Sequence, residues 1–323
     1  MYESADPMTS LYPEILPYHI FFLKTGSKHS VYVEQSGNPD GLPVIFLHGG
    51  PCSGTKPDHR RFFNPQYYRI ILFDQRGCGQ SLPFGELEHN TTQDLIDDME
   101  RIRQVLNINQ WLVFGGSWGA ALALLYAQQH TGHVNGLIIR AVFLARQQDM
   151  DWFIKDDGVR LIYPEQWQRL IASIPEAARE NPIQGLCDVL WGDDEIAVRR
   201  ATREWMAWGA QVALGNAYQG YSQDSHVTDK MVRQARMELH YAKNHYFIEE
   251  NQILNLCHKL TAISTIIIHG RNDLVCPMEA GMMLHQALPH AGYVILPNAG
   301  HIAQGDDMIN ALVTATDNWI SGR

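Results

Sequence analysis

Trp111-Leu-Val-Phe-Gly-Gly-Ser-Trp-Gly119, running on into Ala120-Ala-Leu-Ala-Leu-Leu-Tyr126, decides how the rest of the chain is read. It opens as a short apolar run that predicts a buried strand. It then passes through Gly115-Gly116-Ser117-Trp118-Gly119 and emerges as an Ala/Leu-rich segment that predicts a helix. Strand–turn–helix is the context in which G-x-S-x-G lifts a serine to the tip of a strained turn, as a nucleophile. Such a turn needs a backbone that few side chains tolerate, and flanking glycines let strand and helix approach closely. At average Gly and Ser usage, roughly one chain in ten of this length carries the motif by chance. An ordinary serine in a Gly-rich turn is therefore the competing reading, until a base, an acid and an oxyanion loop are found in order.

They are found. Strand-like segments on the amino side are Tyr18–Lys24, Ser30–Gln35, Pro43–Leu47 and Arg69–Phe73, separated by turns such as Asn38-Pro-Asp-Gly41. Asn90-Thr-Thr predicts the cap of a helix carrying Leu95, Ile96, Met99, Ile102, Val105 and Leu106 at helical spacing. Val134–Ile139 predicts the strand after the Ser117 helix. Alternation then stops from 146 to 245, a Trp- and Arg-rich stretch with helical spacing and no convincing buried strand. It resumes with Ser264–His269, a helix from Pro277 to Leu288, Gly292–Leu296 and a last helix from Met308 to Trp319. The fold class is α/β: a mostly parallel sheet with helices on both faces and its crevice at the strands' carboxyl ends. The division expected is one catalytic domain, 1–145 with 246–323, and an inserted helical cap, 146–245.

In this arrangement acid and base follow the serine, each just beyond a strand. Gly270-Arg-Asn-Asp273 follows one such strand and Pro297-Asn-Ala-Gly-His301 the next. Ser117, Asp273 and His301 are thus the candidate nucleophile, acid and base: the imidazole takes the serine proton, and the carboxylate fixes its tautomer. Alone, Asp273 reads equally well as a helix cap and His301 as a loop histidine. The developing oxyanion needs preset donors, for which the peptide N–H groups of Trp118 and Gly50, in His48-Gly-Gly-Pro51, are the candidates.

The composition limits the partners. With 25 Lys and Arg against 35 Asp and Glu, the net charge of -10 argues against nucleic acid and anionic membrane surfaces. No apolar run reaches the ~20 residues of a membrane span. Met1–Met8 lacks the basic and apolar regions of a secretion signal. Cys52, Cys78, Cys187, Cys257 and Cys276 are odd in number and scattered, which points to a reducing, cytoplasmic compartment. Cys52 and Cys276 read as packing residues. His130 with His133 lacks the companions of a zinc site, and no phosphate or dinucleotide loop is present, so neither metal nor cofactor is expected. Trp205 and Trp208, three apart, pack the cap core or form an aromatic substrate wall.

The chain resembles the proline iminopeptidases of the α/β-hydrolase superfamily over nearly its whole length. The resemblance rests on Leu11-Tyr-Pro-Glu, Gly37-Asn-Pro-Asp-Gly41, Phe46-Leu-His-Gly-Gly-Pro51, Phe73-Asp-Gln-Arg-Gly-Cys-Gly79, Asn90-Thr-Thr-Gln-Asp-Leu95, Phe114-Gly-Gly-Ser-Trp-Gly119 and His269-Gly-Arg-Asn-Asp-Leu-Val-Cys-Pro277. It implies release of an N-terminal residue, typically proline, from small peptides, with the triad on Ser117, Asp273 and His301. It also implies that two cap carboxylates hold the substrate's free amine. One falls on Glu238 in Ala235-Arg-Met-Glu238. The other falls on Gly209 in Trp205-Met-Ala-Trp-Gly209, where the carboxylate is missing. Glu204, five residues earlier, lies about 140° around the helix and is a poor substitute. Cys52 likewise stands where the family has glycine. The substrate-binding candidates are Glu238, Trp208 and Gly49, and the substrate is a small peptide or another small molecule. A small ester, amide or lactone hydrolase on the same triad is the alternative. A catalytically silent binding protein is a third reading, disfavoured by the complete triad.

Overall fold

The computed structural model describes residues 10–220 and 226–322, so the Met1–Met8 reading lies outside the described residues. Eight strands form one sheet: β1 (His19–Lys24), β2 (Ser30–Gly37), β3 (Leu42–Leu47), β4 (Tyr68–Phe73), β5 (Trp111–Ser117), β6 (Val134–Val142), β7 (Thr265–Gly270) and β8 (Gly292–Leu296). Their spatial order is β1-β2-β4-β3-β5-β6-β7-β8. The β1/β2 and β2/β4 pairs are antiparallel, and every pair from β4 through β3 to β8 is parallel. Parallel strands are buried on both faces, which is why β5 reads as a continuous apolar run: all seven of its residues are buried.

Helices α1 (Thr92–Val105) and α2 (Trp118–Gln129) lie between strands in the chain, as do α9 (Met278–Ala287) and, after β8, α10 (Asp306–Ser321). Between β6 and β7 the chain makes α3 (Gln147–Ile154), α4 (Pro164–Ala172), α5 (Pro182–Leu190), α6 (Glu195–Leu214), α7 (Asp229–Lys243) and the single turn α8 (Gln252–Asn255). The helix expected after Asn90-Thr-Thr starts one residue on. Thr91 is its cap, accepting from the Asp94 N–H while Asp94 accepts from the Thr91 N–H at 3.0 Å. Helix α2 is buried from Trp118 to Gln128, all round rather than along one stripe.

Three apolar clusters fill the molecule. One lies on the α1, α2 and α9 side of the sheet. A second, on the opposite side, gathers Phe46, Phe62, Phe63 and Phe114 under α10. The third belongs mainly to α3–α7 and joins Trp167, Trp205 and Trp208 with Leu170, Leu186 and Leu239. Those helices cover the carboxyl ends of the strands.

Candidate active site

The turn after β5 is as tight as its sequence demands. Ser117 has φ +59 and ψ -125, a conformation that costs L-residues on the order of 1–3 kcal/mol. The adjacent glycines are sterically required. A methyl group on Gly115 would lie 2.2 Å from the Gly119 carbonyl oxygen, and one on Gly119 would lie 2.1 Å from that of Leu47. The strain holds the Ser117 side chain at the end of the sheet, with 9% of the residue exposed, into a cavity.

Asp273 and His301 approach from the ends of β7 and β8. His301 Nδ1 donates to both Asp273 oxygens, at 2.9 and 3.0 Å. Asp273 Oδ1 also accepts the peptide N–H groups of Val275 at 3.0 Å and Cys276 at 2.8 Å. Burial alone would push the Asp273 carboxyl up. The facing His301 imidazole, their hydrogen bond and His269 outweigh it, and the net direction is down. Burial pushes the His269 imidazole down, and its Nε2 donates to the Cys276 carbonyl at 2.7 Å. The His301 carbonyl accepts from the guanidinium of Arg140 on β6, a residue the sequence did not single out. Ser117, His301, Gly49, Gly50 and Glu238 all line one cavity of about 580 Å³.

The loop after β3 is anchored by groups that carried no assigned role. Gln75 donates its peptide N–H to His48 Nε2 at 3.1 Å and its amide to the His48 carbonyl at 2.9 Å; its oxygen accepts from Trp118 Nε1 at 2.9 Å. Asp74 accepts from the Thr55 N–H and hydroxyl and from the Gln80 N–H, all within 2.8 Å. A methyl on Gly49 would sit 3.4 Å from Ser117 Cβ and 3.9 Å from its Oγ. Gly50 has φ +114, open only to glycine. The motif Asp74-Gln-Arg-Gly held the signal: polar residues directly after a buried strand must find partners.

Two readings need correction. Trp208 is fully buried and does not line the cavity. Its ring packs on Trp167 at 5.3 Å and its Nε1 donates to the Phe153 carbonyl at 3.1 Å. The cavity side of α6 carries Trp205, Met206, Gly209, Ala210 and Ala213, a stripe at spacings of four, and three residues beyond Trp205 turns Trp208 toward α4. Of the two tryptophans, Trp205 is the one that lines the cavity. Cys276 is not a mere packing residue, because its thiol lines the cavity against the Ser117 hydroxyl. Burial raises that thiol well above its usual value, so it is protonated and no rival nucleophile. Cys52 is buried, with Sγ 3.7 Å from the Gly77 carbonyl.

Glu238 on α7 faces the cavity from the cap. Its Oε2 accepts from Trp205 Nε1 at 2.7 Å and its Oε1 from the Gln234 amide at 3.1 Å. Burial pushes its carboxyl above the ordinary value despite both bonds. A methyl on Gly209 would meet nothing within 4 Å. Asp149 also lines the cavity, but Arg146 binds it at 2.6 Å. Asp273, Cys276 and His301 offer metal-type donor atoms within 4.8 Å of one another. The Asp273 oxygens are already engaged by His301 and two N–H groups, so an ion there would have to break the His–Asp pair.

The alpha/beta hydrolase fold family matches residues 43–307. Proline iminopeptidases of Xylella fastidiosa (strain Temecula1) and Neisseria gonorrhoeae are each 41% identical to this chain. The alignments cover 97% and 94% of it and 100% and 96% of those proteins. A proline iminopeptidase of Arabidopsis thaliana is also 41% identical, over 95% of this chain and 81% of its own. Among solved structures, the chain is similar to a proline iminopeptidase-related protein of Thermus thermophilus, 19% identical with TM-score 0.56, covering 94% of this chain and 96% of that one. A thermophilic esterase of Thermogutta terrifontis is likewise 19% identical, with TM-score 0.58 and coverage of 95% and 99%. At such identities these structures show a shared fold alone.

Proposed function

The chain belongs to the proline iminopeptidase family of the α/β hydrolases, and from that premise we propose that it releases an N-terminal proline or other small residue from short peptides. Ser117 attacks the carbonyl of that residue while His301 takes its proton, and Asp273 holds the imidazole and stabilises its cation. The oxyanion receives the N–H groups of Gly50 and Trp118. His301 then protonates the leaving amine, and water activated by His301 resolves the acyl-enzyme. No cofactor or metal enters this scheme. The division into a catalytic domain, 1–145 with 246–323, and a cap, 146–245, belongs to the same proposal, as does a cytoplasmic location. The separate apolar cluster of the cap helices supports the first, and the five free cysteines support the second. Among the described residues, no helix is long and apolar enough to cross a membrane.

The observation that carries the reading is Glu238. A carboxylate enclosed by protein, yet open to the cavity that holds Ser117, is a partner for an ammonium group that sheds water on entry. Gly209 favours the second reading, a small ester, amide or lactone hydrolase, because the other family carboxylate is missing. Turnover of a Pro-arylamide, its N-acetylated form and a short-chain ester decides between them. The peptidase reading expects the free amine to exceed the acetylated form, and equal turnover of the two overturns it.

A further inference from the structure

Besides Ser117 and His301, the cavity lining draws on two groups of residues from opposite sides of the sheet. One lies under the cap and holds Glu238, Trp205 and Phe153. The other belongs to the opposite side of the sheet, on a 3-10 turn at Pro57–Phe62, the loop after His301 and the first turn of α10. Its walls are Phe46, His59, Phe62, Phe114, Ile302 and Ile309. Phe46, Phe62 and Phe114 belong to the core beneath α10, and Ile309 packs against it. The rings form a stacked series, with centroids 4.3 Å apart for Phe46 and His59, 5.4 Å for Phe46 and Phe114, and 5.8 Å for Phe62 and Phe114. Burial drives His59 down to about 3, so it is a neutral ring near pH 7. Lys56 and Asp58 also line this part, as exposed residues, and Arg140, bonded to the His301 carbonyl, lies beside Gly116.

Acyl transfer assigns a role to each part. The bond from Ser117 Oγ to the acyl carbon forms, the scissile C–N bond breaks, and the serine proton passes through His301 to the departing nitrogen. The departing group must therefore lie beside His301, while the acyl group's amine lies at Glu238. Ile302 and Ala303, next to His301 in the chain, line the aromatic part. We propose that this aromatic part is the leaving-group subsite, and that it selects peptides whose second residue is bulky and apolar, aromatic above all. The inference rests on the acyl-transfer reading of the site.

The test compares kcat/KM for Pro-Phe-amide and Pro-Gly-amide, and for benzyl and methyl esters of one acid. Parent enzyme and Ala303→Phe, a partly exposed loop position that would fill the subsite, are measured side by side. The proposal expects the parent to favour the aromatic member of each pair by about 10- to 100-fold. The preference should collapse toward unity in Ala303→Phe. Ratios near unity in the parent overturn it, as does a preference that Ala303→Phe leaves intact. If neither dipeptide amide is cleaved but the ester preference is present and lost in the variant, the peptidase reading falls and the subsite stands. No hydrolysis of any of the four overturns both.

Discussion

Trp205 Nε1 donates to Glu238 Oε2 at 2.7 Å, so the indole and the carboxylate enter the cavity as one unit built from two cap helices. The Gln234 amide donates to the other oxygen, Oε1, at 3.1 Å, and the carboxylate so held lines the cavity with Ser117. Glu238→Gln should lower kcat/KM on a Pro-arylamide by about 10- to 150-fold, the worth of one charged hydrogen bond. Ester hydrolysis should fall less. Equal loss on both substrates would reassign Glu238 to support of the cap.

The same residue predicts a pH dependence. Burial raises the Glu238 pKa above 4.5, so the anion, the form the proposed ammonium pairing requires, is lost as pH falls through that raised value. For a free-amine substrate, kcat/KM should rise with pH through this ionisation. Neither the N-acetylated substrate nor Glu238→Gln should show that limb. Matching profiles for free and acetylated substrates would contradict the assignment.

Gly209 lies four residues beyond Trp205 on the cavity stripe of α6, with open space before it. Gly209→Glu should raise Pro-arylamide kcat/KM by roughly 10- to 150-fold, by restoring a second charged partner. Gly209→Ala is the control. It should stabilise the fold by up to about 1 kcal/mol through helix propensity and leave catalysis unchanged. A gain in Gly209→Ala equal to that in Gly209→Glu would trace the effect to helix order.

Ser117→Ala should abolish hydrolysis and labelling by fluorophosphonate, with a loss of several orders of magnitude in kcat. Ser117→Gly should be as inactive but more stable than the alanine variant by about 1 kcal/mol, since glycine relieves the φ of +59. Calorimetry on the pair reads this directly. Undiminished turnover by either purified variant would remove Ser117 from the mechanism.

Asp273→Asn should lower kcat by about 10⁴ while leaving the fold intact, because the imidazole loses its fixed tautomer. Acid denaturation gives a second readout. The folded pKa of Asp273 is depressed, so its stabilisation is present above its unfolded pKa and is lost as pH falls through the folded one. The acid limb below about pH 4 should therefore be shallower in Asp273→Asn. An unchanged limb would mean that the pair contributes nothing to stability.

The sheet was legible because parallel strands are buried on both faces and announce themselves as apolar runs. Ser117 and Asp273 were legible because they follow the buried runs of β5 and β7, and His301 because it follows β8, whose residues stay half-buried or exposed and whose apolar pattern alone marks it. Residues that meet only through the third dimension were not. Whether Trp205 or Trp208 faces the cavity depends on the rotation of α6 against α4, which three-residue spacing leaves open. Arg140 sits inside a strand whose alternation looks like any other, and only the folded chain sets it beside the His301 carbonyl. Cys276 was misread because a buried thiol in a core and one facing a cavity look alike in sequence. Gln75 lies in the Asp74-Gln-Arg-Gly motif, but its partners, His48 and Trp118, lie 27 and 43 residues away.

The stripe of Trp205, Met206, Gly209, Ala210 and Ala213 occupies a single face of a single helix, and none of these side chains touches the ends of β5, β7 or β8 by hydrogen bond. Ser117 ends β5, and Asp273 and His301 follow β7 and β8, whereas this stripe and Glu238 stand on α6 and α7. A substitution on that stripe leaves the His301–Asp273 hydrogen bonds untouched, and position 209 is where the stripe has open space to receive one.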